Sequence, residues 1–213
     1  MEIELYRMTH IDNIPFILKN GITHKDSPKA NSNYINIGDK SLISTREQKK
    51  VWITNGINTM YKEIILGDFI PFYFGVRMPM LLVVQHGGNF VEKARHPEEV
   101  VYIVCNLGDL IKLSTEFYFS NGHAMDRLTT FYDETMINNI NTILDWDSIN
   151  AQYWSGEENL EIKRKKQAEF LIKGDIPSYC IKKFICYNNN AKEKLENFGI
   201  NHKKIEINQG AYY

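Results

Sequence analysis

Apolar and polar positions come close to strict alternation over residues 3–8, a period of two that predicts a β-strand. Ile14, Ile17 and Leu18 then recur at helical spacing, with Thr9 and Asp12 as candidate N-caps and Gly21 as the C-terminal stop. Residues 23–39 show no period and are polar and Asn-rich, which predicts a long loop; loops of this length in a compact domain usually serve function. Ser44 or Thr45 is placed to cap a helix running through Arg46 to Val51, and Asn55-Gly56 signals a turn. Residues 70–76, with Phe72, Tyr73 and Phe74 in succession, predict a strand in which Tyr73 lies on the face opposite its two neighbours. Further strands are expected at 100–105, 117–119, 169–173, 183–187 and 204–207. Helices are expected at 107–113, 123–139, 146–154, 161–166 and 191–198. Strands and helices mix without the regular alternation of a doubly wound sheet. The expected fold is therefore α+β, a split, mostly antiparallel sheet with helices around it.

The chain's 213 residues are enough to bury one substantial core, so residues 1–213 are expected to form one domain. The longest apolar stretches, 70–76 and 78–84, fall far short of the roughly 20 residues that span a bilayer. The N-terminal MEIELYRMTH lacks the basic and apolar regions of a signal peptide. No membrane association and a cytoplasmic location are expected. Cys105, Cys180 and Cys186 form no CxxC pair and leave an odd thiol, which points to buried free thiols rather than disulfides or a zinc knuckle. A formal net charge of −1 argues against a protein that coats DNA through a general positive field. Basic residues nevertheless cluster at Arg46/Lys49/Lys50, 163–166 and Lys182/Lys183.

GxGxxG, GxxxxGK[ST], HExxH and GxSxG are all absent, and the six histidines include no pair at i,i+3 or i,i+4. No metal is expected. What remains is a set of polar residues beside aromatic-rich strands. Arg7, between apolar neighbours at a strand end, suits either a surface position or bidentate capture of a phosphate or carboxylate. Arg46 alone reads as a solvated helical arginine. Tyr73 suits a core position or stacking on a flat ring. Glu169 enters an apolar strand, with Phe170 and Ile172 on one face and Glu169 and Leu171 on the other. Burial of a carboxylate there requires either a salt bridge or a catalytic use. Residues 119–124, FSNGHA, read as strand, capped turn and helix.

In order along the chain, LYRMTHIDNI, TREQKKV, GDFIPFYFGVRMPML, FYFSNGHA, LDWDSINAQYW and KRKKQAEFLI resemble the DarT family, bacterial toxins that attach ADP-ribose from NAD to single-stranded DNA. The resemblance covers nearly the whole chain. It implies an ADP-ribosyltransferase fold gripping NAD as co-substrate without a metal. It makes Glu169 the catalytic glutamate and Arg46 an arginine that contacts NAD and helps activate the target base. Arg7, Met8 and Thr9 then fall on the nicotinamide side of NAD, Tyr73 beside nicotinamide, and Phe16 and His24 at further NAD contacts. Residues 28–45 correspond to an NAD-binding loop and residues from 120 to about 169 to a substrate-recognition loop. Ser120, Asn121, His123 and Arg127 are the DNA contacts expected there, with Tyr118 as a further stacking candidate. The partner implied is a macrodomain antitoxin of the DarG type. The family motif Tyr-His-Ile-Thr appears here as Tyr6-Arg7-Met8-Thr9, a departure that inclines the target base to guanine over thymine. Two alternatives follow: an ADP-ribosyltransferase of RNA or protein or an NAD glycohydrolase, and a non-catalytic nucleic-acid-binding module in which Glu169 is only a salt-bridge partner.

Overall fold

A computed structural model describes residues 2–88, 91–113 and 116–213. Its elements, in order, are β1 (Glu4–His10), α1 (Ile14–Asn20), α2 (Lys40–Gln48), β2 (Lys50–Thr54), β3 (Lys62–Ile65), β4 (Phe69–Tyr73) and α3 (Pro79–His86). There follow β5 (Val100–Asn106), α4 (Leu107–Leu113), β6 (Phe117–Ser120), β7 (Phe131–Tyr132), α5 (Ile140–Ile143), α6 (Trp146–Asn150), α7 (Leu160–Lys166), β8 (Glu169–Lys173), β9 (Ile181–Cys186), α8 (Asn189–Asn197) and β10 (Ile205–Ile207). The strands order as β10-β9-β5-β1-β4-β8-β6-β7-β2-β3. Among the described residues only β10 with β9 and β2 with β7 run parallel, so the fold is α+β with a mostly antiparallel sheet.

The sheet narrows at one seam. β1 pairs with β5 along its whole length, yet meets β4 only at Tyr6 opposite Tyr73. Across the gap the Arg7 Nη1–H donates to the Pro71 carbonyl at 2.9 Å. This seam splits the sheet, and a cavity opens on it.

Period-two sequence decides which core each side chain joins. In β5, Val101, Ile103 and Cys105 enter one core, with Phe72, Phe170 and Ile172, while Val100, Tyr102 and Val104 enter a second beneath α3. In β8 the alternation sets Phe170 and Ile172 in the first core and leaves Glu169 and Leu171 on the opposite face. β4 does the same with Phe72 against Tyr73. Because β4 and β8 pair in register at Tyr73 and Glu169, both polar side chains arrive together on the cavity face. The three cysteines are free and buried, and burial pushes the Cys105 thiol up to about 12. No helix among the described residues is long and apolar enough to cross a membrane.

Several elements differ from the sequence expectation. α2 starts at Lys40, because Asp39 accepts from the Ser41 and Leu42 N–H groups as its N-cap; Val51, expected in that helix, lies in β2. Strands β2, β3 and helix α3 were not anticipated: β2 alternates, but it follows a helical pattern without a break, and α3 reads as a plain apolar run. Residues 123–139, expected as one helix, form a turn, the short β7 and a 3-10 segment. There the Asn121 carboxamide accepts from the Thr130 N–H and the Asp133 carboxylate caps the 3-10 turn, local bonds that compete with a helix.

Gly67 is where α2 meets the strand that leads to Tyr73. A Cβ there would lie 2.6 Å from the Glu47 carbonyl oxygen and 2.7 Å from its Cα, both backbone. Gly67→Ala is expected to lower stability by about 1–3 kcal/mol by pushing α2 outward. A urea midpoint equal to the wild type's would contradict this packing.

Candidate active site

A cavity of about 360 Å³ lies over the seam. Arg7 and Met8 of β1, Pro71 and Tyr73 around β4, and Glu169 of β8 form its floor. His24, Tyr34 and Ile37 of the 23–39 loop, Leu42, Ile43 and Arg46 of α2, Met80 of α3, and His123 and Met125 after β6 form its walls.

Glu169 is 2% exposed, and a carboxylate so placed must be matched. Arg46 matches it in a two-pronged contact: Nη1–H donates to Oε1 at 3.2 Å and Nη2–H to Oε2 at 2.7 Å. The planar guanidinium fixes the carboxylate plane as a lysine could not. From below, the Glu169 N–H donates to the Ser120 hydroxyl oxygen at 3.0 Å, and that hydroxyl donates to the Gly122 carbonyl at 2.7 Å. The start of β8 is thus tied to the loop that carries His123.

Two neighbours of the pair are held neutral. Burial first, and then the negative charge of Glu169, push the Tyr73 phenol well above its usual value, so it remains a hydroxyl donor. Burial pulls the His123 imidazole below 6.5, an effect that Glu169 opposes and Arg46 reinforces. The site therefore combines an ion pair, a neutral phenol and a neutral imidazole.

The 23–39 loop is pinned at both ends. The His24 Nδ1 accepts from the Asp26 N–H, so its Nε2–H donates to the Gly67 carbonyl at 2.8 Å. Asn13, 1% exposed, donates through Nδ2 to Thr9 Oγ1 and to the Ile35 carbonyl, and its Oδ1 accepts from the Ile35 N–H. Thr9 in turn shares a 3.1 Å hydrogen bond with the Tyr34 hydroxyl.

Of the residues singled out in the sequence, Arg7, Met8, His24, Arg46, Tyr73, His123 and Glu169 converge on the cavity. Thr9, Phe16, Ser120, Asn121 and Arg127 are not among its lining. Thr9 is buried behind Tyr34, Phe16 is half-buried on α1, and Ser120 is wholly buried with its hydroxyl spent on Glu169 and Gly122. The Asn121 side chain closes its own loop on Thr130, and Arg127 is exposed at the tip of that loop. Tyr34 and Leu42 lie within residues 28–45 and Met125 within residues 120–169, segments expected to meet NAD and substrate, but none of the three was singled out, nor was Met80 as a site residue. Asp39 just before Lys40-Ser41 was the available signal for where α2 begins, and with it for Leu42.

Known proteins share this fold. A family described as DarT, ssDNA thymidine ADP-ribosyltransferase, matches residues 6–213. A DNA ADP-ribosyl transferase of Escherichia coli O127:H6 is 33% identical over 193 residues, covering 90% of this chain and 84% of that protein. The structure of Thermus sp. 2.9 DarT in complex with ADP-ribosylated ssDNA superposes with a TM-score of 0.79 at 26% identity, covering 100% of this chain and 97% of that one. The same Thermus protein has also been solved with NAD+. A Thermosipho africanus fusion of a DNA ADP-ribosyl transferase with a DNA ADP-ribosyl glycohydrolase is 26% identical over 170 residues, which cover 79% of this chain but 38% of the fusion. The protein is an enzyme of the DNA ADP-ribosyltransferase class. Within that class, it belongs to the DarT family.

The ion pair makes an asymmetric prediction. Arg46→Ala strands the buried Glu169 carboxylate and is expected to cost about 3 kcal/mol of stability. Glu169→Gln keeps the shape and leaves only the part-exposed Arg46, so it should cost less than about half as much. Urea unfolding of the two variants measures both; equal costs, or a larger loss for Glu169→Gln, would contradict the pairing.

Proposed function

We propose that this enzyme transfers ADP-ribose from NAD to thymine in single-stranded DNA, releasing nicotinamide, and acts as the toxin of a toxin–antitoxin pair. The observation that carries the reading is the Arg46–Glu169 pair on the cavity floor, beside Tyr73 and Arg7.

Cleavage of the nicotinamide–ribose bond builds positive charge on the ribose ring. The Glu169 carboxylate, held in one plane by Arg46, stabilises that charge from a pocket with little water to screen it. Tyr73 stands beside it as a neutral flat ring on which nicotinamide stacks. Arg7 has donors left beyond its bond to Pro71, and with Arg46 it supplies the cationic groups that the pyrophosphate requires. The base nitrogen forms its new bond to the ribose C1′ as the electrons of the broken bond return to nicotinamide. The proton lost from thymine N3 needs an acceptor, and the neutral His123 at the cavity wall fills that role. His24 orders the loop that closes over NAD. An unpaired base reaches such a cavity without the cost of leaving a duplex, which favours single strands.

Thymine is preferred to guanine because the matching family is described by that base, although Arg7 differs from the family's histidine. The DNA contacts narrow to His123, with Asn121 and Arg127 shaping and extending its loop; Ser120 acts from inside, through the backbone of Glu169. The Thermosipho fusion joins a transferase to a glycohydrolase of opposite action, which supports a separate macrodomain antitoxin of the DarG type as the partner here. We place the enzyme in the cytoplasm, where NAD and DNA are both found.

The test is mass spectrometry of single-stranded oligonucleotides differing in one base, incubated with enzyme and NAD, beside Glu169→Gln. One ADP-ribose on the thymine-containing strand, lost in the variant, is the expected result. An adduct on guanine alone would reverse the base assignment. Nicotinamide release with no adduct on any strand would make the enzyme a glycohydrolase or direct it to RNA or protein.

A further inference from the structure

The basic run of α7 divides unevenly. Arg164 is paired with Glu161 at 2.9 Å and Lys165 with Asp145 at 2.9 Å. Lys163 and Lys166 make no ion pair among the described residues, and neither does Arg77, in the corner between β4 and α3. Aromatic rings link Lys163 to Arg77, and the charge of Arg77 reaches Lys166. The Lys163 ammonium lies 5.4 Å over the Trp154 ring, and the Trp154 Nε1–H donates to the Tyr213 hydroxyl at 2.6 Å. The Arg77 guanidinium lies 4.6 Å over the ring of the same Tyr213, whose hydroxyl donates to the Arg77 carbonyl.

The cluster carries unmet hydrogen-bonding demand. The Arg77 Nε is buried without a partner, and Nη1 reaches only the exposed Gln152 side chain. Lys166 is 2% exposed, and among the described residues the Ile149 carbonyl at 2.8 Å is its one acceptor. Burial, and then the charge of Arg77, draw its ammonium down to about 8. Arg77 also adopts a left-handed backbone at φ 56°, a strain that persists where the surroundings fix a side chain for use. Charges held so close without carboxylates favour an anion among them.

Topology says which anion. β4 ends at Tyr73 and β8 begins at Glu169, paired with each other, so both strands reach the same end of the sheet. Arg77 lies just past that end of β4, and Lys166 and Lys163 lie just before β8. Tyr153, 85% exposed, stands next to Trp154. An extended strand whose target base enters the cavity would continue over this surface.

We propose that Arg77 and Lys163 hold successive backbone phosphates of the single-stranded DNA substrate, with Tyr153 stacking the base beside the modified one. This inference rests on the proposed DNA-transferase activity. Lys166 adds positive potential from beneath without touching the strand. The subsite lies on α7 and the β4–α3 corner, and α7 adjoins the loop that carries His123, whose N–H donates to the Arg164 carbonyl at 2.9 Å.

Two measurements test it: fluorescence anisotropy of a labelled single strand without NAD, and steady-state transfer to the same strand. Arg77→Gln and Lys163→Gln should each weaken DNA binding about 10-fold and raise the KM for DNA similarly, with the KM for NAD held within about twofold. Each should also flatten the log–log salt dependence of DNA binding by about 0.7, the increment of one single-strand phosphate contact. Tyr153→Ala should weaken binding without changing the salt slope. Lys163 is exposed, so its variant keeps the test valid if Arg77→Gln fails to fold. Wild-type affinity and salt slope in Lys163→Gln, with transfer to DNA intact in the wild type, would overturn the subsite alone. A wild-type enzyme that labels no DNA would overturn the proposed activity and the subsite with it.

Discussion

The structure turns on one carboxylate that the fold buries and must therefore balance. Glu169 starts a strand whose next three residues are apolar, and register with β4 sets it next to Tyr73 at the seam of the sheet. Arg46 answers it from α2, 123 residues earlier in sequence. That single contact joins the helix, the central strands and the loop before the helix into one cavity. Desolvation makes the pair strong and the surroundings responsive: Tyr73 and His123 both shift toward their neutral forms beside it.

Around this pair the fold builds rigidity by local hydrogen bonds. Asn13 clasps residue 35, His24 grips Gly67, Asp39 caps α2, and Ser120 bridges Glu169 to Gly122. A loop of this length has considerable conformational freedom to lose, and these anchors account for how it forms a cavity wall. The arrangement suits a reaction in which charge develops on a sugar ring and the groups that meet it must already be in place.

Much of this was legible in the sequence, for identifiable reasons. The strand at 169–173 came out at its observed bounds because an apolar run with an aromatic and a β-branched residue, flanked by charges, leaves little freedom, and the helix at 107–113 because Leu107, Leu110 and Ile111 recur at helical spacing. The opposite facing of Glu169 and Phe170, and of Tyr73 and Phe72, followed from alternation alone. Glu169 could be recognised as needing a partner, but not matched with Arg46, since pairing across a sheet is a tertiary fact. Residues 123–139 misled because their apolar spacing suits a helix, while Asn121 and Asp133 bind nearby backbone instead. Thr9 and Ser120 carry the right polarity for a site yet face inward, a distinction that only packing makes. Arg77 gave no sign of its left-handed backbone or its missing carboxylate partner.

The central claim is that Arg46 and Glu169 work as one unit in transfer. A double-mutant cycle on the single-turnover rate of nicotinamide release, with Arg46→Ala, Glu169→Gln and both together, tests it most directly. The account predicts that the double variant is no slower than the slower single variant, because either change already dismantles the unit. Losses that multiply would mean that the two residues act independently, and the account would be wrong.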